Sequence, residues 1–128
     1  MISESIKQII IRCDSSLRIG NGHTIRCRTL AREFKKAGYK VCFICRNRKG
    51  NIIDNLKKEF EVIELNYKKE FINKNSEENE KISSYNLGCS FKEDADECIE
   101  KMVHFGIKNI NWIIVDHYGI SEIWEKRI

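Results

Sequence analysis

A chain of 128 residues and 15.1 kDa has room for one domain core, so two full lobes are excluded. Hydrophobic residues at 41% and charged residues at 33% match a globular protein, and no apolar run approaches the roughly 18 to 20 residues of a membrane span. Net charge is +4 and concentrated: residues 12–49 hold 11 Lys/Arg against 2 acids, and the remainder is net acidic. A basic segment of this kind suits an anionic ligand such as a nucleotide diphosphate, or nucleic acid. The alternative is a solvated helix face, the reading favoured for Arg28, Arg32, Lys35 and Lys36.

The N-terminal stretch MISESIKQIIIRCD is apolar only from Ile9 to Ile11 and then meets Arg12 and Asp14, which fits neither a signal nor a transit peptide. A cytoplasmic protein is the expectation. The β-branched run from about Ile6 to Cys13 predicts a buried strand. After a turn-rich stretch, Ile25, Cys27, Leu30, Ala31, Phe34 and Ala37 recur at helical spacing, predicting a helix from His23 to Ala37 that Gly38 stops. YKVCFICR is a second strand, NIIDNLKKEF a short helix opened by Asn51, and EVIEL a third strand.

The polar stretch from Asn66 to Leu87 reads as a loop or weak helix. Ser90 and Glu93 then form a capping box for a helix ending near Gly106, with Ala95, Ile99, Met102 and Val103 on its apolar face. INWIIVDHYG predicts a further buried strand, and Ser121 can cap a last helix. Alternating strands and helices with continuous apolar strands predict an α/β fold with a doubly wound, Rossmann-like parallel sheet. Ligands of such sheets bind at the strands' carboxyl ends, where residues 14–23 and 116–118 are expected to face one another across one crevice.

Six cysteines without a secretory signal argue for reduced thiols rather than disulfides. Cys42-x-x-Cys45 lies in a strand, where side chains three apart point to opposite faces, so a zinc or redox pair is not expected.

Gly20 and Gly22, between a strand and a helix, form a turn open to a phosphate at the helix N-terminus. The stretch is neither a Walker loop nor a dinucleotide fingerprint, and a purely structural turn remains an equal alternative. His23, in the helix's first turn, is the best candidate acid/base, against the alternative of a histidine that merely packs there. Asp14 and Asp116 are candidates to orient His23, to bind a hydroxyl, or to cap turns. Tyr118 suits a sugar or nucleotide pocket, with a purely structural role as an equal alternative; His104 reads as structural, and for His117 the structural reading leads over a place in that pocket.

The array Arg12-x-Asp14-Ser15-Ser16-x-x-Ile19-Gly20-x-Gly22-His23-x-x-Arg26, followed about ninety residues later by Val115-Asp116-His117-Tyr118-Gly119, resembles one family. It is similar to the nucleotide-sugar hydrolases of pseudaminic acid biosynthesis (PseG) and to the related spore-coat polysaccharide glycosyltransferases. The resemblance spans nearly the whole chain but matches only the N-terminal lobe of a two-lobed GT-B fold, similar to that of the MurG glycosyltransferase. It implies removal of UDP from UDP-2,4-diacetamido-2,4,6-trideoxy-β-L-altropyranose with inversion, without metal or other cofactor. His23 would be the base that activates water, Tyr118 would contact substrate, and Asp14, Gly20, Gly22 and Asp116 would shape the pocket.

The resemblance also implies a partner, because the family's C-terminal lobe binds uridine and diphosphate. That lobe would be encoded separately or replaced by self-association. The alternatives are an inverting glycosyltransferase that uses the same base and an inactive anion-binding remnant. Nucleic acid is not the expected partner, since the basic residues are not interleaved with aromatics.

Overall fold

The computed structural model describes residues 7–17, 19–67, 89–117, 120 and 122–128. Among these the elements run β1 (Gln8–Cys13), α1 (Gly22–Lys36), β2 (Lys40–Arg46), α2 (Ile53–Leu56), β3 (Glu61–Leu65), α3 (Phe91–His104), β4 (Ile110–Asp116) and α4 (Glu122–Arg127). The strands form one parallel sheet in the order β3-β2-β1-β4. The expected Rossmann-like α/β architecture is what the chain adopts.

Alternation along the strands sorts the apolar residues into two cores, one on each face of the sheet. Ile9, Ile11, Cys13, Val41, Phe43 and Cys45 pack with Cys27 and Ala31 of α1 and with Ile53 and Leu56 of α2. Ile10, Cys42, Ile44, Ile63 and Leu65 pack on the other face with Ala95, Cys98 and Met102 of α3 and with Trp124 of α4. Cys42 and Cys45 therefore sit in different cores, and all six cysteines are free and buried. Every residue of β1 is buried, as a strand covered on both faces requires.

Local signals set the element ends. Ser90 caps α3 by accepting a hydrogen bond from the Glu93 N–H at 3.1 Å. Asn51 opens the short α2 region by accepting from the Ile53 N–H at 3.0 Å. Beyond Tyr67 the polar middle stretch lies outside the described residues, as does the Ser121 cap.

The strand order positions the site. From β1 the chain steps outward to β2 and β3, then returns to lay β4 on the opposite side of β1. The helices after β1 and β4 pack on opposite faces of the sheet, the topology in which ligands bind beside the strands' carboxyl ends. In register, Cys13 lies beside Asp116, so the segments after the two strands begin side by side. β4 forms an edge of the described sheet and is only partly covered, with Trp112 67% exposed.

Candidate active site

The segment after β1 is shaped by its own hydrogen bonds. Ser16 and Gly20 exchange backbone bonds of 3.3 and 2.9 Å, and the Ser16 hydroxyl accepts from the Ile19 N–H at 3.1 Å. Gly20 closes this turn at φ +75, a left-handed conformation that other residues rarely adopt. Gly22 begins α1 with open space on its Cα side, which leaves the backbone approachable from the crevice.

His23 follows at once, almost buried in the first turn of α1, and its Nδ1 lies 2.6 Å from Oδ1 of Asp116 at the end of β4. Arg26, one turn along the same helix face, donates from Nε to Asp116 Oδ2 at 3.0 Å and from Nη2 to Oδ1 at 2.9 Å. The same Nη2 stands 3.1 Å from the His23 Nδ1. Burial works against the charge on Asp116, but hydrogen bonds from His23 and Arg26 outweigh it and hold its pKa below the usual carboxylate range. Asp116 asks Nδ1 to donate and Arg26 asks it to accept; the carboxylate contact is the shorter, and with Nδ1 as its donor a neutral ring has Nε2 as the basic nitrogen.

A second His–Asp pair lies beside the first with the strands exchanged. His117, just after β4, places Nε2 at 2.8 Å from Oδ2 of Asp14, just after β1. Arg12 grips both oxygens of Asp14 at 2.6 and 3.1 Å, and the Arg46 backbone N–H donates to Oδ1 at 2.7 Å. Burial opposes the charge on Asp14, yet Arg12 and His117 hold its pKa far below the usual range. Arg12 also donates to Asp94 of α3 at 3.1 and 2.6 Å, and Asp94 in turn accepts from Arg46 and from the Trp124 indole, each at 2.8 Å. The side chains of Arg12, Asp14, Arg46 and Asp94 are all 0% exposed. Such a network is tolerable in a core only because nearly every charge has an opposite partner.

These positions redistribute the sequence-based candidates. The structure brings His23 and Asp116 together in hydrogen-bond contact at the rim of the crevice, with Gly20 and Gly22 in the adjoining turn. Asp14 does not reach that rim: its oxygens are spent on Arg12, His117 and Arg46, so it braces the framework instead of touching a ligand. Tyr118 lies outside the described residues. His117 is structural as read from the sequence, with its side chain 2% exposed. Asp94 and Arg46 are not among the sequence-based candidates, and Arg26 closes the quoted array without an assigned role, although it lies three residues after His23 and therefore shares its helix face.

The basic segment also changes meaning. Arg12 and Arg46 are consumed in the core, Arg26 lies on Asp116, and exposed Arg32 pairs with Glu59. Lys35 and Lys36 lie exposed on the same helix, the former donating to the Glu59 carbonyl. Much of the positive charge is thus balanced within the fold, and it does not by itself call for nucleic acid.

Other chemistries fit less well. The Cys27 thiol donates to Asp116 Oδ2 at 3.6 Å, and a bond with Cys13, burial and the nearby carboxylate push its pKa well above the usual range. It is a proton donor, not a nucleophile. Among the described residues no cluster of His, Cys, Asp and Glu has the geometry to hold a metal ion, and no helix is long and apolar enough to cross a membrane. A cavity of about 480 Å³ lies at the opposite end of the strands, beside Gln8, Lys40, Glu61 and Phe105; no histidine lines it, and its Lys40 and Glu61 are an exposed ion pair at 3.6 Å. The His23–Asp116–Arg26 cluster lies at the carboxyl end of the strands. No family model, curated protein or solved structure matches this sequence.

Proposed function

We propose that this chain is the water-activating lobe of a nucleotide-sugar hydrolase, acting on a UDP-linked diacetamido-trideoxyhexose. The observation that carries the reading is the His23–Asp116 pair at the carboxyl ends of adjacent parallel strands. With Nδ1 committed to Asp116, the His23 Nε2 takes a proton from water while the water oxygen bonds to the anomeric carbon. The anomeric C–O bond to the diphosphate breaks, and UDP leaves with the electron pair. Diphosphate is a good leaving group, so one base is sufficient and the remaining task is to hold water on the opposite face of the sugar. Gly20 and Gly22 give the anionic part of the substrate access to the backbone N–H groups at the start of α1.

Uridine and diphosphate would be held chiefly by a second lobe, of the same or another polypeptide, or by a second copy in self-association, as in a GT-B arrangement. The partly covered β4, with Trp112 exposed, gives such a partner an apolar surface. The related inverting glycosyltransferase uses the same base with an acceptor hydroxyl in place of water, and product analysis separates the two: free sugar for hydrolysis, a glycoside for transfer. The internal pairing of the basic residues disfavours the inactive anion-binding alternative.

The test measures UDP release by the chain with and without a separately expressed C-terminal lobe from a PseG relative. Positioning supplies about 7 to 11 kcal/mol of barrier reduction, so activity is expected only on mixing. Full activity of the chain alone would refute the need for a second lobe, and no activity under either condition would count against the hydrolase reading.

A further inference from the structure

The side chain of His23 is 11% exposed and that of Asp116 24%, whereas Arg26, which completes the set, is 64% exposed. An exposed arginine usually gains little from an ion pair, since holding a long side chain costs entropy and water screens the charge. Arg26 nevertheless contacts both carboxylate oxygens, and its Nη2 shares Oδ1 with the imidazole. Such a two-point grip fixes the plane of a carboxylate, which a single contact leaves free to rotate. The other groups on Asp116, the His23 ring and the Cys27 thiol, each reach only one oxygen.

We propose that Arg26 is the positioning residue of this site: by holding both oxygens of Asp116 it aims Oδ1 at the His23 Nδ1 and so selects the tautomer whose Nε2 is basic. Arg26 acts chiefly through Asp116, with no contact to substrate required. Its Nη2 also stands 3.1 Å from the His23 Nδ1, a contact that favours an acceptor there, and the shorter 2.6 Å contact to the fixed carboxylate must outweigh it for Nδ1 to carry the proton. The assignment of a catalytic consequence rests on His23 being the base, but the tautomer claim stands on geometry alone. His117 supplies an internal reference, because its Nε2 lies 2.8 Å from the Asp14 carboxylate, which accepts only, so there it is Nε2 that carries the proton.

With three histidines in the chain, long-range proton–nitrogen NMR of the isotope-labelled protein, above the titration of the rings, reads each tautomer directly. Wild type should show Nδ1–H at His23 and Nε2–H at His117. Arg26→Ala should lose the Nδ1–H state as the dominant form at His23 and leave His117 unchanged, Arg26→Lys should retain it in part, and added guanidinium ion should restore it in Arg26→Ala. Retention of Nδ1–H in Arg26→Ala overturns the proposal. Simultaneous loss of the His117 tautomer also overturns it, since Arg26 would then be a general brace. No substrate enters this experiment, so absence of UDP release from the two-lobe assembly would fail the hydrolase reading alone.

Discussion

His23, in the first turn of the helix after β1, and His117, directly after the neighbouring β4, each meet a carboxylate from the other strand's end that an arginine also holds. Burial separates them. Asp14 and Arg12 are 0% exposed and tie into Asp94, Arg46 and Trp124, whereas Asp116 and Arg26 border solvent. The same three residue types thus make a framework when sealed and an acid/base candidate when one edge stays open. Free energy follows the same division, since breaking a buried ion pair strands an uncompensated charge while water can replace a partner at the surface.

The comparison breaks if the two sets respond alike to the same change. Asp14→Asn is expected to cost about 3–5 kcal/mol of folding stability, seen as a lowered urea midpoint, and Asp116→Asn about 1 kcal/mol or less. Equal losses would mean that the open set is structural too. In the two-lobe assembly, His23→Ala should lower kcat by about 10²-fold or more with its circular dichroism and urea midpoint retained, whereas His117→Ala should lose activity only in step with stability.

A pH titration of stability sharpens the contrast. The folded pKa of Asp14 lies far below its unfolded value of about 3.9, so its contribution is complete above that value and is lost as pH falls below it toward the folded pKa. Wild type should therefore lose stability below about pH 4, Asp14→Asn should flatten that acid limb, and Asp116→Asn should flatten it less. An unchanged limb in Asp14→Asn would remove the buried pair from the account.

Two smaller effects concern the setting of the sets. Gly50 has φ +83, and a Cβ there would lie 2.6 Å from the Leu17 Cγ, against the loop that leads to His23. Gly50→Ala should cost about 1–3 kcal/mol and shift the amide signals of residues 15–22 in a proton–nitrogen spectrum. Glu59→Ala removes the exposed partner of Arg32 and should leave the urea midpoint unchanged within error.

Much of the fold was legible because its signals are local. The isoleucine run of β1, the helical spacing from Ile25 to Phe34 and the Ser90 box each specify one element without reference to the others. His23 and Asp116 were legible as polar residues at strand ends. From the sequence Asp116 is a candidate partner of His23, but only beside Asp14; the choice of Asp116 for His23 and Asp14 for His117 depends on the register of β1 and β4, which no local pattern encodes. Asp94 was obscured by the acidic stretch KEDADE, although its place one turn before Cys98 and two before Met102, all buried, is the periodic signal that marks it as inward-facing.

The pairing of β1 with β4 has a kinetic consequence. β1 through β3 form from neighbours in sequence, but His23–Asp116, Asp14–His117 and Arg12–Asp94 close over separations of 93, 103 and 82 residues. Contacts of that range are slow to find, because a long loop must be closed before they return any energy. On a ribosome the first three strands emerge well before Asp116, so the nascent chain carries His23 without its carboxylate and Arg12 with Asp14 but without Asp94. Neutrality of the buried network therefore waits for the docking of α3, which brings Asp94, and the His23–Asp116 contact for that of β4; Trp124, 1% exposed and bonded to Asp94, lies where its fluorescence can time the closing of that network.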